Sequence, residues 1–176
     1  MFKVFYPDEE AVSAYDIPYE AMYDNGIRGV IFDVDNTLVP HGVPADDRAK
    51  KLFSRLREIG LETCLLSNNR EPRVSAFAQA VGGSNYIYKG NKPGRKGYER
   101  AMEQMGTDVG HTVFVGDQLF TDVFGAKRVG IHSILVRPIH PKEEIQIVLK
   151  RYLEAIVLYF YHRDEKRSYK SKERQK

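Results

Sequence analysis

The stretch GVIFDVDNTLVPHG, residues 29–42, places two carboxylates directly after an apolar run. Three β-prone residues, VIF, precede Asp33, and Asp35 follows two positions later. Like charges this close repel each other, and charges beside a buried strand are costly to desolvate. The pair of aspartates therefore requires a positively charged partner that offsets the repulsion.

Apolar runs alternate with helical patterns over most of the sequence. Strands are predicted over 30–32, 62–67, 85–89, 111–116 and 132–136. Helices are predicted over 46–59, 72–81, 95–105, 121–129 and 142–162. This alternation indicates βαβ units. We expect one α/β domain with a Rossmann-like, mostly parallel sheet and helices on both faces.

Composition agrees with one soluble globular domain. The 176 residues can form a substantial core, and hydrophobic residues at 42% are ordinary for this class. A single cysteine, Cys64, excludes an internal disulfide and fits a reducing compartment. The N-terminus lacks a signal pattern, and no apolar run approaches the ~20 residues of a membrane span. These features favour a cytoplasmic location.

The excess of positive charge lies at the C-terminal end. Residues 163–176 carry seven of the 27 basic residues but three of the 24 acidic ones, a net charge of +4. Residues 1–162 have a net charge of −1. We expect a folded domain over 1–162 and a flexible tail over 163–176. Such a tail is either a solvated end or a segment attracted to anionic lipid or nucleic acid.

The last predicted helix, 142–162, has more apolar surface than one packed face needs. It either docks on the N-terminal segment or also contacts a partner or membrane surface. Its predicted apolar stripe comprises Ile145, Val148, Leu149, Tyr152, Leu153, Ile156 and Phe160.

Polar groups follow four of the predicted strands, and the carboxyl ends of parallel strands meet at one edge of a sheet. There, carboxylates from two strands would form an all-oxygen site, which suits Mg²⁺. Such an ion would stabilise the pair of Asp33 and Asp35, because it converts the repulsion between carboxylates into coordination. The four groups are Asp33 with Asp35, Ser67-Asn68-Asn69, Gly90-Asn91-Lys92-Pro93, and Gly116-Asp117.

These residue types suit phosphoryl transfer. Asp33 and Asp35 are two positions apart and so point the same way, which lets one attack while the other moves protons. Ser67 offers a hydroxyl, and Lys92 offers positive charge for the phosphoryl oxygens.

Three different roles for the acidic pair fit the sequence less well. An EF-hand loop beginning at Asp33 needs Gly and Glu where this chain has Leu38 and Pro44. A nucleotide-sugar transferase needs a nucleotide-binding half for which 176 residues leave little room. A capping role for the pair leaves Ser67 and Lys92 without a function.

The four groups resemble, in order, the four motifs of the haloacid dehalogenase (HAD) phosphatase superfamily. The first motif has an acid at both ends. In this the chain resembles the phosphotransfer members of the superfamily rather than the dehalogenases. The matching stretches are Asp33-Val-Asp35-Asn-Thr37, Ser67-Asn68, Lys92-Pro93 and Gly116-Asp117-Gln-Leu-Phe-Thr-Asp122.

The resemblance implies a role for each matching residue. Asp33 would be the nucleophile that becomes aspartyl-phosphate, Asp35 the general acid and then the base, and Lys92 the cation that steadies the phosphoryl group. Mg²⁺ would be held by Asp33, the main-chain carbonyl of Asp35, and Asp117, with Asp122 in support. The residues implied for phosphate binding are Thr37, Ser67 and Asn68, and Thr37 would also stabilise the loop of the first motif.

The motif spacing leaves no room for an inserted cap domain. Asp33 and Ser67 lie 34 positions apart, and Ser67 and Lys92 lie 25 apart. An uncapped, solvent-open site suits a phosphate on something large or membrane-bound, whereas small-metabolite phosphatases usually need a lid. A homo-oligomer in which a second copy supplies the lid is the other way to close the site. His41, next to the first motif, is either a substrate contact or a plain loop residue.

The N-terminal segment narrows the resemblance. FYPDEEAVSAYDIPYEAMYDNGIRGVIFDVDNTLV resembles the start of the YqeG-type branch of capless, class IIIA HAD phosphatases. That branch is related to mitochondrial phosphatases of phosphatidylglycerophosphate, which implies a lipid phosphomonoester as substrate. It also implies peripheral contact of 142–176 with the inner face of a membrane and no nucleic-acid partner. A phosphatase for a soluble metabolite or phosphoprotein, and a non-catalytic binding protein, are the alternatives.

Overall fold

The sheet has six strands, and every neighbouring pair is parallel. The computed structural model describes residues 2–140 and 145–173. The strand order β1-β6-β5-β2-β3-β4 confirms the predicted α/β class. The strands are β1 (Glu9–Ala11), β2 (Gly29–Phe32), β3 (Glu62–Leu66), β4 (Asn85–Ile87), β5 (Thr112–Gly116) and β6 (His132–Val136).

Strand β2 lies inside the sheet, between β3 and β5. All four of its residues are buried, which explains why the sequence there is continuously apolar rather than alternating. Val30 and Phe32 belong to the core on one face of the sheet, and Ile31 belongs to the core on the other. Both faces of the sheet are therefore covered.

Helices connect successive strands and form the two outer layers. Phe53 of α2 and Phe77 of α3 join the core of one face, whereas Tyr98 of α4 and Ala126 of α5 join the core of the other. The helices are α1 (Tyr19–Asp24), α2 (Asp47–Ile59), α3 (Glu71–Ala80), α4 (Arg95–Met105), α5 (Phe124–Val129) and α6 (Ile145–Glu173).

Local signals account for where α2 begins and ends. The Asp46 side chain accepts a hydrogen bond from the Ala49 main-chain N–H at 2.8 Å, as an N-cap does. Gly60 ends the helix with φ of +93°, a left-handed conformation that glycine adopts without strain. The helix thus spans almost the predicted range.

Three features differ from the sequence prediction. Strand β1 and helix α1 were not predicted. Strand β1 has three residues, two of them glutamates, and lies at the edge of the sheet, so its sequence does not look like a strand. The predicted helix over 121–129 begins earlier, with a π-helical turn at Leu119–Val123 that continues into α5.

Among the residues of helix α6 whose burial is described, the buried ones lie outside the predicted stripe. Glu154, Val157 and Tyr161 are buried, whereas Leu153 and Ile156 are about half exposed, at 53% and 51%. The predicted packing on the N-terminal segment is observed: the Phe2 and Phe160 rings stack at 5.7 Å between centroids, and the rings of Tyr6 and Tyr161 meet at 5.2 Å.

The helix continues beyond its predicted end to Glu173. Part of the predicted tail is therefore helical, and the domain boundary at residue 162 stays a prediction. Residues 142–144 of the predicted helix and 174–176 of the predicted tail lie outside the described residues. Among the helices of the described part of the chain, none has the length and hydropathy needed to cross a membrane.

Candidate active site

The polar groups that follow the strands meet at one edge of the sheet. Asp33 follows β2, Ser67 follows β3, and Asp117 follows β5. Because β5, β2 and β3 are adjacent and parallel, these three residues lie side by side at the carboxyl edge. Lys92 reaches the same place from the loop after β4.

A buried lysine joins two of the carboxylates. The Lys92 Nζ atom donates to Asp33 Oδ1 at 2.5 Å and to Asp122 Oδ1 at 2.7 Å. The three side chains are 4%, 9% and 1% exposed, so water screens these ion pairs little.

Burial and charge shift the pKa values of this cluster. Burial, helped by the nearby Asp122 carboxylate, raises the pKa of Asp33 above its usual range, although Lys92 opposes this. Burial alone would lower the pKa of Lys92, but Asp122 and Asp33 raise it above its usual value. Lys92 therefore stays charged, and further positive charge nearby would favour the ionised form of Asp33.

A third carboxylate completes an oxygen-rich group. Oxygen atoms of Asp33, Asp117 and Asp122 all lie within 4.8 Å of one another, and all three residues are buried. The Thr37 hydroxyl donates to Asp117 Oδ1 at 3.2 Å and so holds that carboxylate. Gly116 leaves the necessary space, because a Cβ there would come within 2.5 Å of Asp122 Oδ2.

This donor set fits a divalent cation. Three buried carboxylates with one lysine among them carry excess negative charge, and hard oxygen ligands suit Mg²⁺ or a similar ion. The Asp35 side chain is not part of this group. Its predicted contribution to the metal site was its main-chain carbonyl.

The Asp35 carboxylate accepts hydrogen bonds from three donors. Its Oδ1 accepts from the Gly42 main-chain N–H and from Arg73 Nη2, both at 2.9 Å, and its Oδ2 accepts from Asn69 Nδ2 at 3.3 Å. Burial would raise the pKa of Asp35, but the hydrogen bonds from Gly42 and Arg73 lower it overall.

The two loops that carry Ser67 and Lys92 are bonded to each other. The Asn68 side chain accepts from the Lys92 main-chain N–H at 2.7 Å and donates to the Lys92 carbonyl at 3.2 Å. The Gly90 N–H donates to the Ser67 carbonyl at 2.9 Å. Asn68 thus fixes the lysine loop as well as facing the site.

A cavity of about 350 Å³ opens beside these groups. Thr37, which is 1% exposed, is not among its lining residues, and its hydroxyl is directed at Asp117 instead. The cavity is lined by Asp33, Asp35, His41, Ser67, Asn68, Asn69, Lys92, Gln118 and Thr121.

Some residues of the site were not predicted from the sequence. Gln118 and Thr121 line the cavity, and Arg73 donates a hydrogen bond to Asp35. The first two lie inside the fourth motif stretch, so their position after β5 was the available signal. Arg73 lies on α3, where the residue pattern does not show which way its side chain points.

The family of the chain follows from comparison with known proteins. The profile of the haloacid dehalogenase-like hydrolase family matches residues 41–130, half of the chain. The chain belongs to this family, and it is a phosphatase of the capless, YqeG-type branch, as the motifs predicted. The intervals between its motifs contain only α2 with β3, and α3 with β4, which leaves no cap domain there.

Two relatives show the extent of the similarity in sequence. The probable phosphatase YqeG of Bacillus subtilis (strain 168) is 36% identical, over 89% of this chain and 91% of that protein. Phosphatidylglycerophosphate phosphatase 1, chloroplastic/mitochondrial, of Arabidopsis thaliana is 28% identical over 84% of this chain. The match spans 46% of the Arabidopsis protein, less than half its length.

A solved structure supports the fold. The putative HAD superfamily (subfamily III A) hydrolase of Legionella pneumophila superposes with a TM-score of 0.50 at 17% identity. The superposition covers 66% of this chain and 69% of that one.

Proposed function

We propose that this phosphatase hydrolyses a lipid phosphomonoester, phosphatidylglycerophosphate, through a Mg²⁺-dependent aspartyl-phosphate at Asp33. The observation that carries the chemistry is the buried cluster in which Lys92 bonds both Asp33 and Asp122, with Asp117 alongside. A nucleophile, a fixed cation and surplus carboxylates in one water-poor place suit transfer of a phosphoryl group.

Mg²⁺ would bind among the carboxylates of Asp33 and Asp117 and the main-chain carbonyl of Asp35, with Asp122 in support. When bound, the ion would offset the repulsion between carboxylates, favour the ionised form of Asp33 and neutralise charge on the phosphoryl oxygens. Burial raises the pKa of Asp33, so a cation bound beside this carboxylate would favour its ionised form.

In the first half of the reaction, a carboxylate oxygen of Asp33 attacks phosphorus. The bond from phosphorus to the leaving oxygen breaks, its electron pair goes to that oxygen, and Asp35 supplies the proton. Lys92 stabilises the charge on the phosphoryl oxygens, and Ser67 and Asn68 line the cavity that receives them. The alcohol then leaves.

In the second half, water attacks the phosphorus of the aspartyl-phosphate. Asp35, now a carboxylate, takes the proton of the water, and the bond between phosphorus and Asp33 breaks. Inorganic phosphate leaves, and both aspartates return to their starting forms.

The lipid substrate is supported by features outside the reacting groups. The motif intervals hold no cap, so the site can meet a phosphate on a large or membrane-bound molecule. A relative from Arabidopsis carries the name phosphatidylglycerophosphate phosphatase. Helix α6 exposes Tyr152, Leu153, Ile156 and Tyr159, and positive charge follows over 163–176.

These α6 residues and the basic end define the surface that we propose for peripheral contact with an anionic membrane. Aromatic and aliphatic side chains beside basic ones are typical of interfacial helices. Each basic residue near such a surface contributes about 1 kcal/mol of attraction. We place the protein in the cytoplasm, at the inner face of the membrane.

The function is tested by substrate turnover with and without Mg²⁺. We expect release of phosphate from phosphatidylglycerophosphate in mixed micelles with a higher kcat/KM than from soluble sugar phosphates or phosphopeptides. In Asp33→Asn the activity should fall by more than about 1,000-fold, because the covalent route is removed. The control, Asp47→Asn, changes an exposed aspartate and should leave turnover unchanged.

Each result has a distinct meaning. A preference for a soluble phosphate would replace the lipid substrate but keep the phosphatase chemistry. Turnover that persists in Asp33→Asn would remove Asp33 from the nucleophile role. No release from any substrate under Mg²⁺ would favour a non-catalytic binding protein.

A further inference from the structure

Arg73 forms an ion pair with Asp35, the proposed general acid. Its Nη2 atom is 2.9 Å from Asp35 Oδ1, and the two side chains are 17% and 14% exposed. Asp35 lines the cavity, whereas Arg73 is not among the lining residues. The guanidinium thus contacts Asp35 without lining the cavity itself.

The two oxygens of Asp35 are held differently. Oδ1 accepts two hydrogen bonds at 2.9 Å, from Gly42 and Arg73, whereas Oδ2 has one longer contact at 3.3 Å from Asn69. Asn69 lines the cavity. Oδ2 thus contacts a residue that lines the cavity, whereas Oδ1 contacts Gly42 and Arg73, which do not line it.

The ion pair of Arg73 with Asp35 contributes little to the stability of the fold. A largely buried ion pair gains little net stability, because desolvation offsets the attraction. Arg73 Nε is moreover a buried donor that has no hydrogen-bond partner among the described residues, which is unfavourable. Its guanidinium also lies over the Phe77 ring, 5.7 Å from the centroid, so it is fixed in direction.

We propose that Arg73 is a positioning residue: it anchors Oδ1 of Asp35 so that Oδ2 faces the leaving oxygen of the substrate. The proposal rests on the proposed function, in which Asp35 is the general acid. The proton on Oδ2 passes to the leaving oxygen as that oxygen receives the electron pair of its bond to phosphorus. A guanidinium suits this task, because its planar fork fixes a carboxylate more tightly than an ammonium does.

The proposal predicts an effect that depends on the leaving group. An alkoxide leaves poorly and needs the proton, whereas 4-nitrophenolate leaves well without it. In Arg73→Ala, kcat/KM for benzyl phosphate should fall by about 10–100-fold, part of the usual 10²–10⁴-fold benefit of general acid catalysis. For 4-nitrophenyl phosphate it should change a few-fold at most.

Two further variants separate positioning from folding. Arg73→Lys should recover only part of the benzyl phosphate activity, and methylguanidinium added to Arg73→Ala should recover more. Asp35→Asn should show the same selective loss, and adding Arg73→Ala to it should cause little further loss, since both act through one carboxylate. Arg70→Ala, in the exposed residue just before α3, is the matched control and should behave as wild type.

Equal losses for both substrates, or no recovery with methylguanidinium, would assign Arg73 a merely structural role and overturn the proposal. Additive losses in the double variant would overturn it too. Failure of the proposed function looks different: wild type would then lack Mg²⁺-dependent turnover, or Asp33→Asn would retain it.

Discussion

At the scale of single residues, the account depends on Lys92 and the two carboxylates it bonds. All three side chains are less than 10% exposed, so each charge relies on the others for compensation. Removing one partner from such a cluster leaves uncompensated buried charge, which costs far more than the intact pair contributes. The lysine should therefore matter for folding as well as for chemistry.

We expect Lys92→Met to lower the free energy of unfolding by about 3–5 kcal/mol in the presence of EDTA. Mg²⁺ should return part of that loss, because a cation bound among the carboxylates replaces the missing charge. Urea denaturation measures both effects. Lys96→Met, which changes an exposed lysine of α4, is the control. An unchanged unfolding midpoint in Lys92→Met would contradict the role of the lysine in the cluster.

The sequence indicated the residues that sit at strand ends but not those that reach the site from helix sides. The positions of Asp33 and Lys92 follow from a parallel sheet, because strand ends meet at one edge. Arg73 lies 38 residues from Asp35, and its contact depends on the rotation of α3 about its axis. That rotation is set by packing, which the residue pattern of a ten-residue helix does not define.

At the scale of elements, Asp8 joins the edge strand β1 to the sheet. Its Oδ2 accepts from the Ser133 N–H at 2.9 Å and from the Ser133 hydroxyl at 2.7 Å, while Oδ1 accepts from Lys127 Nζ at 2.7 Å. Burial would raise the pKa of Asp8, but the hydrogen bonds from Lys127 and Ser133 lower it overall.

Asp8→Asn should destabilise the fold by about 1–2 kcal/mol at neutral pH, because charged hydrogen bonds become weaker neutral ones. The folded-state pKa of Asp8 lies below its unfolded value, so its contribution is complete above the unfolded pKa and is lost as the pH falls through the folded one. The difference between wild type and Asp8→Asn should thus be constant near neutrality and shrink below about pH 4.

Denaturant unfolding across this pH range measures the difference, with the exposed Asp24→Asn as control. A difference that grows on acidification would contradict the assigned sign.

Elements with strong periodicity were predictable, and those set by tertiary contacts were not. Helix α4 and strand β6 have the predicted bounds, since their patterns and flanking glycines are clear. Strand β1 pairs with β6, a contact that its own short sequence does not show. Helix α6 is apolar on more than one side, so its sequence could not show that Val157 and Tyr161 would be the buried residues.

At the scale of the whole molecule, the uncapped site and the exposed apolar residues of α6 both support the proposal that this phosphatase meets its substrate at a membrane surface. The absence of room for a cap was predictable from motif spacing alone. The exposed residues of α6 were not, because they depend on how the helix docks. Whether α6 contacts a membrane can be measured by binding to lipid vesicles.

We expect the protein to co-sediment with vesicles that contain phosphatidylglycerol but not with neutral ones, and less so as salt rises. Leu153→Glu with Ile156→Glu should weaken this binding, because it removes apolar contact and adds repulsion. Val109→Ser, which changes an exposed apolar residue elsewhere, should not. Equal binding to neutral and anionic vesicles, or none to either, would contradict the membrane contact.

The central claim is that Asp33 receives the phosphoryl group, and trapping the intermediate tests it most directly. The enzyme is mixed with 4-nitrophenyl phosphate and Mg²⁺, quenched in acid within the turnover time, and reduced with borohydride, which converts an acyl phosphate to an alcohol. Peptide mass spectrometry should then find homoserine at position 33 and unchanged aspartate at positions 35, 117 and 122. Turnover without homoserine at position 33, or with homoserine at another of these positions, would contradict the account.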